Sequence, residues 1–557
     1  YDINYPGNAD SWGPERVLRA EVIVWLCTDK KAKELVTHKG IQIWGARVDN
    51  ELDLLDASIP FSLTLLRCRL ARRTRFIYAH VSALILEASH IVTLEGDGLH
   101  VDNDVFLRKG FNAKGFVRLL GARIEGDLDC RGGRFLNDCT NGLASLDVYG
   151  AKITGDFRLD GFKAEGLVSL NGAEIGGKLD CSGAKFLYAD ESVALNAVGV
   201  KIKGSVYFHN QAEIHATANF MGAQVDGYFL WHDLIRHDRT GLWLQSAHVG
   251  TLWDDKESWP GAGKLKLDGF TYDRIHEDAP LSASERLKWL QLDQPVAGDE
   301  IESPTSKGDG APNPRNATQN RTTAHRAVAP EKRKFNPQPY EQLASVLKKQ
   351  GHVEDAKDIL VGKEQDRAAH ELRIVGNEEW KDKTWKRFRG GVHWILGVTV
   401  DYGYRPMKAL RWALGVSVLG WMLFKLGQIL GVMTPVNEKA YVQTKETDWS
   451  RVRRRFLLGK RRDVETPTKS PREISPDYPK FRAWVYSIDE FAPLVNLRQG
   501  DYWIPNLNRD VWAIKGWRGR FVRTYGRFLR FYLTCHIASG WILSTLLLAG
   551  LTGLVQR

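Results

Sequence analysis

At 557 residues, 43% hydrophobic and 26% charged, the chain is large enough for two or more domains with ordinary soluble cores. Its net charge is +11, and the densest basic stretches, Arg451 to Arg462 and Lys515 to Arg530, adjoin apolar segments, which points to membrane lipid rather than nucleic acid as the anionic partner. Six cysteines without a CxxC pair or short metal-like spacing indicate neither a disulfide framework nor a zinc site, and they fit a reducing compartment for the N-terminal half.

The first expected element is a helix opened by Pro14 and Glu15, with Leu18, Val22, Trp25 and Leu26 on one face. It belongs to a region, residues 1–39, whose expected role is to cap the first coil of a repeat. From residue 40 to 275 a tetrad recurs: two small residues, any residue, then Ile or Val. It reads Gly45-Ala46-Arg47-Val48, Gly121-Ala122-Arg123-Ile124, Gly150-Ala151-Lys152-Ile153, Gly172-Ala173-Glu174-Ile175, Gly199-Val200-Lys201-Ile202 and Gly222-Ala223-Gln224-Val225, with a worn copy at Ser246. The intervals from Gly121 are 29, 22, 27, 23 and 24 residues, and Gly150, Gly161, Gly172 and Gly183 step by 11. Small or apolar residues alternate with Arg123, Glu125, Asp127 and Asp129, the period-two pattern of a strand with one buried face. The reading is a mainly β fold: a parallel β-solenoid of roughly 22 to 25 residues per coil, turning at glycine corners and lined by small residues such as Cys130 and Cys181.

Residues 276–334 read as a linker, disordered from about 298, where Pro, Ser, Thr, Asn and charge replace large apolar side chains. Residues 335–373 read as a helix-turn-helix hairpin around Gly351, of the kind that packs against its own protein. The remainder, 374–557, is a membrane domain with transmembrane helices expected near 412–433 and 531–555. Lys425 lies inside the first span, and Gly427, Gly431, Gly550 and Gly553 offer small-residue surfaces for helix packing or self-association. Basic residues precede both spans, so the positive-inside rule places both starts in the cytoplasm, which two simple crossings cannot do. The segment from Phe481 to Leu497, carrying Asp489 and Glu490, is therefore read as an amphipathic interfacial stretch, with a polar re-entrant loop as its alternative.

Chemistry is harder to find. Asp127, Asp129, Asp180 and Asp226 are the carboxylates an enzymatic β-helix would use, but outward acids also serve solubility. His209, His215, His232 and His237 lack the i, i+4 spacing of helix-borne ligands, so no metal is expected. No dinucleotide fingerprint, phosphate loop or GxSxG elbow occurs, so no cofactor is expected and no catalytic residue can be named.

The GARxxGxLD-type repeats, WPGAGKLKLDGFTYDRI, PYEQLASVLKKQGHVEDA, DYGYRP and YSIDEFAPLVNL together resemble a family of bacterial membrane-associated, pentapeptide-repeat-like proteins often labelled oxidoreductases. The resemblance implies the architecture and carries no catalytic residues. The function expected is a non-enzymatic scaffold or recognition protein, integral to the cell inner membrane. Its solenoid is expected in the cytoplasm, with a protein partner on the solenoid flank and self-association through the membrane helices. The alternatives are a membrane-associated oxidoreductase or other enzyme, and a membrane pore or signal-responsive effector.

Overall fold

The computed structural model describes residues 4–137, 139, 142–188, 193–293, 335–374, 380–437, 440–442, 473–493, 495–506 and 517–552. Gly298 to Lys334 and Arg451 to Arg462 lie outside the described residues. The chain forms two compact units, Tyr1–Arg367 and Ala368–Arg557.

The first unit is a parallel β-solenoid. One coil shows its construction: strands Asn112–Ala113, Val117–Arg118, Arg123–Ile124 and Leu128–Asp129 form four sides, and Arg134–Phe135 begins the next coil 22 residues on. Each strand pairs in parallel with its counterpart in neighbouring coils, which builds two ten-stranded sheets and one of sixteen strands. Two residues per side suffice because the strand amides find carbonyls in the adjacent coil, as Arg123 N does in Leu99 O at 2.7 Å, while corner amides such as Gly133 N close onto their own coil. The inward residue of most pairs is apolar and buried, with Thr74 a polar exception; Phe111, Phe135, Phe162, Phe186 and Phe208 stack as a lumen column with ring centroids 4.9 to 6.2 Å apart. Cys130 and Cys181 are fully buried in the same lumen, and burial pushes both thiols well above their ordinary range, so they act as packing groups.

Helices close both ends. At the N-terminus the expected helix is shorter than its sequence pattern. Pro14–Arg16 is a single 3-10 turn, and Val17–Arg19 is a strand that pairs with Arg47–Asp49, so Leu18 lies opposite Val48. Helix α1, Ala20–Thr28, then packs on the first coil through Ala20, Ile23 and Cys27, while Trp25 is half exposed. Strand pairing outcompetes the helix start because it satisfies the open edge of the first coil. Helix α2, Lys30–Glu34, follows, capped by the Asp29 side chain.

At the other end stand α3 (Ala283–Gln291), α4 (Gln338–Lys349) and α5 (Val353–Ile374). Helix α4 lies along the last strand, Thr271–Ile275, and replaces a further coil with glutamine side chains. Gln338 takes the Gly269 amide and donates to Phe270 O, Gln342 donates to Tyr272 O, and Gln350 does both for Ile275. The hairpin thus packs on its own solenoid and satisfies backbone groups that would otherwise be exposed.

In the second unit, α6 (Trp380–Val400) leads to α7 (Met407–Ile429). The connection holds α8 (Ala483–Phe491), the short α9 (Gln499–Tyr502) and a strand, Trp503–Pro505, paired antiparallel with Met433–Pro435. Helix α10, Trp517–Leu551, ends the described chain. Met407–Ile429 and Thr524–Leu551 are long and apolar enough to cross a bilayer, and only 17% of each apolar window is buried by the protein. The first ends earlier than its hydropathy suggests because Gly431, at φ 68°, stops the helix and Met433–Pro435 turns into a strand.

Candidate functional site

In the second unit, α7 and α10 run antiparallel. A side chain at Gly427 would meet Leu529 at 2.6 Å, one at Gly550 would meet Pro406 at 2.7 Å, and Tyr525 Oη donates to Leu423 O at 2.8 Å. Gly427 and Gly550 therefore sit where the two helices touch. Gly431 has open space around it and serves as the helix stop instead. Gly553 lies outside the described residues. Lys425 is exposed on the outer surface and donates to Gln428 at 3.1 Å.

Helix α8 fills the groove between these helices. Ser487 Oγ donates to Ser417 O at 2.7 Å, His536 Nε2 donates to Ser487 O at 2.9 Å, and the Phe424 ring meets Tyr486 edge-on. Its C-terminal end reaches Gly540, where any side chain would run into the Phe491 carbonyl. The chain then returns to the end of α7, and Asp489 fixes that return by accepting the Leu497 amide at 2.5 Å and the Gly500 amide at 2.9 Å. Glu490 faces Gly500 in the same turn. Gly420 and Gly540, which make room for Ser487 and Phe491, escaped sequence reasoning because neither belongs to a GxxxG pair.

At the start of α7, Asp401 is buried and engages Lys408 Nζ at 2.6 Å and Arg405 at 3.6 Å. One carboxylate thus holds two cations, Arg405 just before α7 and Lys408 in its first turn.

On the solenoid, the carboxylates singled out by sequence are structural. Asp127 Oδ1 accepts the Asp156 amide of the next coil at 2.8 Å, just as Asp104 accepts the Asp127 amide. Asp129 is buried between Arg108 at 2.6 Å and Arg131 at 2.8 Å; burial alone would raise its pKa, but the two guanidiniums outweigh that and hold it low. Asp180 pairs with Lys178 and Ser182, while Asp226 is exposed.

Two arrangements on the outer faces were not read from the sequence. The first is a column in one ten-stranded sheet, where Arg47, Arg69, His90, Asn112, Arg134, Lys163 and Lys185 occupy the same register in successive coils, with His90 buried against the Tyr5 ring. The second lies where that column ends. Glu213 follows Lys185 in register, 3.1 Å from its ammonium, and accepts from His215 Nε2 at 2.6 Å and His237 Nε2 at 3.0 Å. Burial would raise the Glu213 pKa, but these three partners bring it down to about 2. The signal for this cluster is the coil period: His237 follows His215 by 22 residues, one turn of the solenoid. His209 and His232 form a separate group and line a surface groove of about 410 Å³ with Asp233, Asp255 and Glu257.

Comparison with protein-family models, with curated proteins and with solved structures finds no match for this chain, so its architecture stands on the coil register and helix packing described above.

Proposed function

We propose that this chain is a membrane-anchored recognition protein. Its two apolar helices hold it in the cell inner membrane, and the solenoid presents a rigid flank to a protein partner on the cytoplasmic side. The observation that carries this reading is the basic column. Parallel coils repeat every ~4.8 Å, so Arg134, Lys163 and Lys185 are held in line with their charges close together. Like charges in register are unfavourable for folding, and Lys163 and Lys185 have local acids, Glu165 and Glu213, that relieve the repulsion. A partner with acidic side chains at matching spacing would meet a surface already ordered, with little conformational entropy left to lose. The five cysteines of the solenoid unit are all free, which accords with a cytoplasmic solenoid. The basic flank of α10 then lies at the opposite end of the anchor, which a connection longer than about 60 residues tolerates.

The test is site-specific photo-crosslinking in native membranes. A crosslinker at Arg134 or Lys185 should trap one defined protein, a crosslinker at Lys266 on another face should not, and Arg69→Glu with Arg134→Glu should abolish the adduct. Equal labelling from both faces, or an adduct indifferent to charge reversal, would remove the proposal.

The same column makes a pH prediction. His90 is pushed down to about 4, first by burial and then by the positive field of Arg69, Lys114 and Arg134. The unfolded state binds this proton near pH 6.5, so the stability from neutral His90 is complete above that pH and is lost as pH falls toward 4. His90→Gln should flatten unfolding free energy against pH across that window, measured by denaturant titration.

A further inference from the structure

We propose that Glu213, His215 and His237 bind one divalent transition-metal ion, Zn²⁺ best, on the outer face of the solenoid. This goes beyond the recognition reading and does not depend on it.

The site is built by the coil geometry. Glu213 and His215 flank the inward-facing Ile214, so both point outward from one strand, and His237 occupies the position of His215 one coil later. One carboxylate oxygen, Oε1, faces both Nε2 atoms, and one potential ligand atom from each residue lies within 4.8 Å of the others. The imidazole centroids are 3.9 Å apart and the rings are inclined by 50°, so their Nε2 atoms converge on the carboxylate instead of lying side by side. An ion bonded at about 2.0–2.1 Å to three tetrahedral donors separates them by roughly 3.3 Å. The present contacts of 2.6 and 3.0 Å would open by about 0.7 and 0.3 Å as the ion replaces two shared protons. Lys185 occupies the second carboxylate oxygen, leaving Oε1 as a single ligand atom. The side chains retain 14, 28 and 37% exposure, so the fourth position faces solvent. Two imidazoles and one carboxylate suit zinc or a neighbouring transition metal; Ca²⁺ and Mg²⁺ require mostly oxygen.

A second cluster provides an internal contrast. His80 and His100 stack almost parallel, at 7°, and His100 Nε2 is 3.9 Å from Asp102. Their nitrogens lie beside one another, and each side chain in that group is at least 40% exposed. His80 Nε2 is 2.7 Å from the same Asp102 oxygen, so the group is looser and more exposed than the Glu213 cluster and engages its carboxylate closely through one imidazole only.

The experiment uses the full chain in detergent, stripped with chelator and titrated with Co²⁺ by visible absorption, then with Zn²⁺ to displace it. The expected result is one tetrahedral Co²⁺ per chain. Glu213→Gln, His215→Asn and His237→Asn should each weaken it by roughly 100-fold, since each removes one of three ligands. His80→Asn with His100→Asn should leave it unchanged. All five positions point outward, so circular dichroism should show the fold retained. Absence of binding tighter than about 100 µM, or binding equally strong in Glu213→Gln and His237→Asn, or loss only in the His80/His100 double variant, would overturn the assignment.

Discussion

Gly177→Ala is expected to destabilise the solenoid by about 3 kcal/mol or more, whereas Gly172→Ala, five residues earlier, should cost only about 1 kcal/mol. The two glycines are needed for different reasons. Gly172 turns a corner at φ 65° with no atom within 4 Å of the place a methyl would occupy, so its substitution costs only the left-handed backbone. Gly177 has ordinary φ but belongs to a stack, Gly126, Gly155, Gly177 and Gly204, in which the amides of the last three each donate to the carbonyl of the glycine one coil before at 2.8 to 3.0 Å. A methyl at Gly177 would lie 2.9 Å from the carbonyl carbon and oxygen of Gly155 and would strike the Asp156 carboxylate. The coils would have to separate there, stretching hydrogen bonds on every side of both turns. Since each coil contacts only its neighbours, the damage divides the stack into two shorter solenoids. Denaturant unfolding of the two variants, followed by circular dichroism, measures the difference; equal losses would show that the stack is not closely packed.

That contrast also marks what the sequence could reveal. Corner glycines were legible because they recur every 11 residues, and the tetrads were legible because alternation fixes which side chains enter the lumen: Ala122, Ile124 and Cys130 are all buried. The stacking glycines looked like further corners, since spacing alone does not distinguish a positive φ from a close approach. Leu18 read as helical from its local pattern, yet an edge-satisfying strand claimed it. Gln338, Gln342 and Gln350 carry no local signal of their role, because a helix that caps a sheet edge must carry polar groups where most packed helices carry apolar ones. The Glu213 cluster follows the coil period and was missed by a search for helical spacing. In the second unit both apolar helices were plain from length and hydropathy, while the seat of α8 between them left only Gly420 and Gly540 as traces.

Arg286→Met should cost about 3–5 kcal/mol, and the loss should be local to the C-terminal end of the solenoid. Arg286 of α3 is fully buried and makes a bidentate pair with Asp254, 2.7 and 2.8 Å, while its Nε donates to Pro280 O at 2.6 Å. Trp259 Nε1 donates to the same carboxylate at 2.7 Å, and the Trp259 and Trp289 rings flank the guanidinium at 5.8 and 5.2 Å. Each of these polar atoms has its partner within the network, so removing the arginine leaves a buried carboxylate with one indole donor. Asp254→Asn should be damaging for the converse reason, since it strands a guanidinium that cannot deprotonate. A paired apolar replacement, Arg286→Met with Asp254→Leu, removes both charges and should be closer to wild type than either single change. Hydrogen exchange should quicken in Ala283–Gln291 and Thr271–Ile275 in the single variants while the central coils stay protected, because α3 and α4 cover the last coil alone. A double variant worse than both single changes would show that the pair contributes net attraction beyond mutual neutralisation, and uniform exchange along the solenoid would show that its cap and coils unfold as one.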